Sequence, residues 1–101
     1  MGVGGTPGIC LELAEFGRYL ADLLSLGNID DAGAGLAALE RLLKDGSPQV
    51  KDAASSCALE SLDAHAATIS LDPHAWGSLL PPAAKAFLSD WHGDPTRYEA
   101  S

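Results

Sequence analysis

The chain is short of most things that mark a nucleic-acid binder, a membrane protein or a disulfide-rich secreted module. Only six lysines and arginines stand against fourteen aspartates and glutamates, a formal charge of −8. Direct binding to nucleic acid or to an anionic membrane needs a basic face that displaces counterions, so both are disfavoured. No apolar run approaches the ~20 residues of a membrane span. The amino-terminal MGVGGTPGI lacks the positive residues and apolar core of a signal peptide, which predicts a cytoplasmic protein. Two cysteines, Cys10 and Cys57, are too few for a disulfide scaffold, and their apolar surroundings favour buried free thiols over a bridge. Alternation at period two is missing throughout, which argues against strands.

What the chain does have is hydrophobic content and helical punctuation. At 101 residues and 47% hydrophobic, it can bury one real core and no second one. Residues 1–8 are Gly-rich and predict a flexible amino terminus; residues 9–93 form the single domain, and 94–101 read as a frayed tail. From Ile9 to Leu26 the apolar positions Ile9, Leu13, Phe16, Leu20, Leu23 and Leu24 fall within about 100° of arc. Leu11, Tyr19 and Leu26 lie instead on the charged side, as scattered surface residues or a docking patch. Gly27-Asn28 ends this helix. A second runs from about Asp30 to Lys44, with Ile29, Ala32, Leu36, Leu39 and Leu43 as its buried stripe and Gly46 after it. Short connections predict sequential antiparallel neighbours.

Gly46–Leu71 predicts a central, Ala-rich helix over about residues 47–70. Ser47 is placed to cap it and Pro48 fits its first position. On a wheel of roughly 100° per residue, Asp52, Ser56, Glu60, Asp63 and Ala67 share a sector about 80° wide. The rest of the girth is mostly small and apolar, as in a helix packed on several sides. Asp72-Pro73 starts a short helix bearing Trp76, and Pro81-Pro82 starts a last one that ends near His92 before Gly93. Its Ala84, Phe87, Leu88 and Trp91 share a face. The fold class is all-α, a compact bundle of four to five helices.

The chemistry-bearing residues do not assemble into a site by spacing. Asp63-His65, Asp72-His74 and Asp90-His92 repeat Asp-x-His, but residues two apart on a helix point about 200° from each other. Metal-binding helices use i,i+3 or i,i+4, so no metal and no cofactor is expected. Ser55-Ser56-Cys57 lies mid-helix, where hydroxyls bond back to the preceding turn, and no nucleophile elbow or phosphate loop occurs. No enzyme activity is expected. What remains is a surface for a protein partner: Asp52, Glu60 and Asp63 on the central helix, widened by Glu12, Glu15, Asp30 and Asp31. Trp76 is the expected aromatic anchor, with Trp91 in the core and Tyr98 in the tail. The protein is expected to be a monomer or weak dimer.

Leu39-Glu40-Arg41-Leu42-Leu43, the Gly46–Val50 turn, Leu59-Glu60-Ser61-Leu62 and Leu80-Pro81-Pro82 with Trp91 carry a resemblance. The pattern resembles small all-helical bacterial proteins similar to immunity proteins of polymorphic-toxin and contact-dependent competition systems. It covers roughly residues 10–92. The resemblance implies a cytoplasmic antidote that neutralises a cognate toxin by binding and supplies no catalytic residue; the acidic face points to a basic toxin or nuclease domain as the partner. The alternatives are a phage-encoded acidic inhibitor of a host nucleic-acid defence and a self-associating helical scaffold.

Overall fold

The computed structural model describes residues 6–94 and 96–98, and the described residues form an all-α bundle without a strand. The elements are α1 (Thr6–Ser25), α2 (Ile29–Asp45), a central rod made of α3 (Pro48–Asp52), a π-helical stretch (Ala53–Leu59) and α4 (Glu60–Thr68), then α5 (Pro73–Gly77) and α6 (Pro82–His92). The helix begins at Thr6, inside the amino-terminal stretch expected to be flexible; the remainder of that expectation, residues 1–5, lies outside the described residues.

The predicted stops and starts are used. Gly27 takes a left-handed φ of 77°, and the Asn28 and Gly27 amides donate to the Leu23 and Leu24 carbonyls, closing α1 in a Schellman turn. Ser47 Oγ accepts from the Val50 amide at 3.3 Å, with Pro48 at the first helical position. Asp72 Oδ1 accepts from the His74 amide at 3.0 Å. One cap was not foreseen. No side chain within α6's own start caps it; instead Glu40 of α2 accepts from the Ala83 and Ala84 amides at 2.9 and 3.0 Å. A carboxylate at the positive end of a helix dipole meets two otherwise orphaned donors, which ties α2 to α6.

The core runs along the middle of the rod. Leu20 and Leu24 of α1, Leu36 and Leu39 of α2, Leu59 and Leu62 of the rod, and Ala84 and Leu88 of α6 are buried together. α1 lies close against the rod because Gly17 has no side chain there: a Cβ would stand 2.2 Å from the Ala58 carbonyl oxygen. Two reversals make α1 and the rod run in the same direction, with Cys10 by Cys57, Gly17 by Ala58 and Asp22 by His65.

That register corrects the expectation of free thiols. Cys10 and Cys57 are bonded to each other, their Cα atoms 5.3 Å apart. Two cysteines separated by 47 positions are brought together only by the pairing of α1 with the rod. Ile29, expected in the buried stripe of α2, is 44% exposed at the α1–α2 corner. The tail is not frayed over its described part. Tyr98 is fully buried, against the backbone of Gly77, where a Cβ would meet the Tyr98 carbonyl oxygen at 2.2 Å.

Candidate interaction surface

The π-helical stretch decides which carboxylates face solvent. Each i→i+5 turn takes up more residues than an α turn, so the positions after Leu59 are rotated relative to a uniform wheel. Over seven residues the offset is on the order of 100°. Asp52 and Ser56, before it takes full effect, are exposed; Glu60 is half-buried; Ala64 comes round to the outside in place of Asp63. Asp63 is only 4% exposed. The expected three-carboxylate ribbon therefore reduces to Asp52 and Glu60.

Buried, Asp63 collects side chains from the end of the chain. Tyr98 Oη donates to Asp63 Oδ1, and His92 Nε2 stands 2.8 Å from Oδ2. Arg97 Nε donates to Tyr98 Oη at 3.2 Å, with its guanidinium 5.6 Å from the Tyr98 ring centre. Trp76 meets the same ring edge-on at 5.3 Å. Burial, and then the hydrogen bond to Asp63, push the Tyr98 phenol well above its ordinary range. A carboxylate buried in a helical bundle is costly unless its oxygens are bonded, and here both are. The Asp-x-His repeats thus act across elements: Asp63 pairs with His92, and Asp22 pairs with His65 at 2.9 Å. Among the described residues no group of three or more His, Cys, Asp or Glu side chains is arranged to hold a metal ion.

The aromatic assignments change places. Trp76 is 3% exposed and part of the core, so it is not a surface anchor. Its buried Nε1 has no partner among the described residues, and the adjoining cavity, lined by Asp63, Leu71, Pro73 and Arg97 among others, is about 60 Å³. That is room for about two water molecules and not for an organic ligand. Trp91, expected inside, is 45% exposed and packs its ring on His92 at 4.8 Å. The core face of α6 is completed instead by Ala84 and Leu88 with Phe87 alongside.

Three of the exposed large apolar side chains lie along α1 and its carboxy-terminal end. Leu11, Tyr19 and Leu26 are 66%, 54% and 80% exposed. Glu12, Glu15, Arg18 and Asp22 are exposed with them, and on a helical wheel all seven fall within roughly 120°. The chain then turns through exposed Ile29 into exposed Asp30 and Asp31. Of the residues expected to meet a partner, Glu12 and Glu15 share the outer face of α1, and Asp30 and Asp31 are exposed in the first turn of α2. Asp52 and Glu60 stand separately on the rod, and Asp63 and Trp76 are inside. Tyr19, which had no role beyond a scattered surface residue or patch member, is the one large aromatic ring on this face; its half-stacking on Phe16 at 6.4 Å braces it.

A small all-α domain with a mixed acidic and apolar outer helix is what the fold and this surface define. The chain belongs to the family DUF7674, a domain of unknown function, whose model matches residues 5–93. No curated protein and no solved structure matches it. Arg97 and Tyr98, which close over Asp63, lie beyond the matched stretch.

Proposed function

We propose that this protein is an immunity-type binder, which neutralises a basic toxin or nuclease domain in the cytoplasm by direct contact and occlusion. The observation that carries the reading is the outer face of α1, where Leu11, Tyr19 and Leu26 are presented to solvent among Glu12, Glu15 and Asp22. Exposed apolar side chains supply affinity, and the carboxylates around them steer a cationic partner and fix its register. Asp30 and Asp31 extend the field, and Asp52 and Glu60 add to it from the rod. No catalytic role is assigned. Asp63 and Tyr98, both buried, and His92 at the surface beside them have the chemistry of an acid–base site and bond to one another.

The same exposed apolar groups favour a second reading, self-association of α1. Charge weighs against it, since two copies would bring Glu12, Glu15 and Asp22 against themselves with Arg18 as the cation of the face. The test is co-expression with candidate basic toxin domains from neighbouring genes, scored by growth rescue and by titration calorimetry. Wild-type protein rescues and binds, and Tyr19→Ala weakens binding on the order of 30-fold, as loss of an aromatic hot spot does. Glu12→Lys with Glu15→Lys slows association steeply at low salt. Neither complex nor rescue for the wild type would overturn the reading, and a concentration-dependent dimer in light scattering would replace it with self-association.

A further inference from the structure

The Cys10–Cys57 bridge holds α1 at its less buried end. In the carboxy-terminal half of that helix Leu20, Ala21, Leu23 and Leu24 are all buried in the core. In the amino-terminal half none of Ile9, Leu13 and Phe16 is more than partly buried, and Leu11, Glu12 and Glu15 face solvent. From Gly8 onward the first buried position is Gly17, at the crossing with Ala58. Segments with few buried apolar contacts open locally at low free energy while the rest stays folded. Here a covalent link spanning 47 positions restrains such a segment. Both cysteines are only partly buried.

We propose that this bridge is a thiol-controlled latch: reduction by glutathione or a protein dithiol frees the amino-terminal turns of α1, residues 9–16, and leaves the remainder of the domain folded. In the exchange a thiolate of the reductant attacks one bridge sulfur, and the S–S electron pair leaves on the other cysteine. A second reductant thiol then resolves the mixed disulfide. The two cysteines take up two electrons and two protons, and the reductant departs as its own disulfide. In the cytoplasm, where thiols are kept reduced, bridges of this kind are transient and sensing rather than structural. The released turns carry Leu11, Glu12 and Glu15, half of the face assigned to the partner; this functional consequence rests on the immunity reading, but the release itself does not.

The experiment equilibrates the folded protein in glutathione and glutathione-disulfide mixtures of graded ratio, counts thiols by alkylation and mass spectrometry, and follows amide exchange. The bridge opens and recloses reversibly while the helical circular dichroism is kept. Amides of residues 9–16 exchange at least tenfold faster when reduced, and those of residues 20–24 change less than twofold. Cys10→Ser reproduces the reduced pattern, and the reduced protein binds the basic toxin domain at least tenfold more weakly. A bridge that resists glutathione until denaturant unfolds the protein, or reduction that melts the whole domain, overturns the proposal. So does reduction that leaves the 9–16 amides unchanged. If the amides respond as described but the oxidised protein binds no basic partner, the latch stands and the immunity reading falls.

Discussion

Glu40 offers the sharpest test of how the bundle is held together. Its carboxylate takes the Ala83 and Ala84 amides at 2.9 and 3.0 Å, and Glu40 is 8% exposed. Truncation to alanine leaves two amino-terminal donors of α6 without an acceptor at a site that solvent reaches poorly. A hydrogen bond to a charged acceptor contributes about 1.5–3 kcal/mol, and loss of a local cap alone costs about 0.5–2 kcal/mol. With partial rehydration of the Ala83 amide, Glu40→Ala is expected to cost about 3 kcal/mol. In a domain of this size that lowers Tm by about 10–25 °C. Glu40→Gln keeps one good acceptor and should lose only about 1 kcal/mol. Lys44 approaches Glu40 at 3.8 Å but its side chain is 60% exposed, so Lys44→Ala should shift stability by less than about 0.5 kcal/mol. Thermal and urea unfolding followed by circular dichroism measures all three. An alanine variant that melts within about 3 °C of wild type, or a lysine variant that costs as much as it, would refute the cross-element cap.

Other expectations follow from single positions. Gly17→Ala should destabilise by about 2–3 kcal/mol, because the new methyl group meets the Ala58 carbonyl oxygen and backbone must move; Gly33→Ala, with nothing within 4 Å, should stabilise by about 0.5–1 kcal/mol. The same unfolding measurements decide both, and a tolerated Gly17→Ala would mean the two helices do not cross there. Ser70 sits at φ 64° where α4 ends, so Ser70→Gly should gain up to about 1 kcal/mol in chemical denaturation. Tyr98 holds its proton more tightly folded than unfolded, so its contribution is complete below the ordinary phenol range near pH 10 and is lost as pH rises beyond it. Tyr98→Phe should flatten that alkaline loss relative to wild type and cost about 1 kcal/mol at neutral pH from the lost hydrogen bond to Asp63; an unchanged alkaline slope would count against a buried phenol.

The sequence by itself determined the fold class and most boundaries. Gly27, Gly46 and Gly93 stop helices; Ser47-Pro48, Asp72-Pro73 and Pro81-Pro82 begin them, and leucines at helical spacing mark the core faces of α1 and α2. These signals are local, each acting through backbone dihedrals or orphaned amides within one turn, so they survive being read without a tertiary structure. On α1 the candidate surface was partly legible for the same reason, since Leu11, Glu12, Glu15, Tyr19 and Leu26 share one side of a regular helix.

Only the three-dimensional structure decided the rest, through a change of helical pitch in the rod and through contacts between elements. The π-helical stretch changes the angular advance along the rod, which carries Asp63 from the outer ribbon into the core. The parallel pairing of α1 with the rod brings Cys10 to Cys57 and Asp22 to His65, pairs that no spacing along one helix reveals. Glu40 finds the amides of α6 across 43 and 44 positions, and Tyr98 finds Asp63 across 35. A helical wheel assumes one pitch and no neighbours; the partners of a buried polar group are set by the register between helices, which exists only once they have packed.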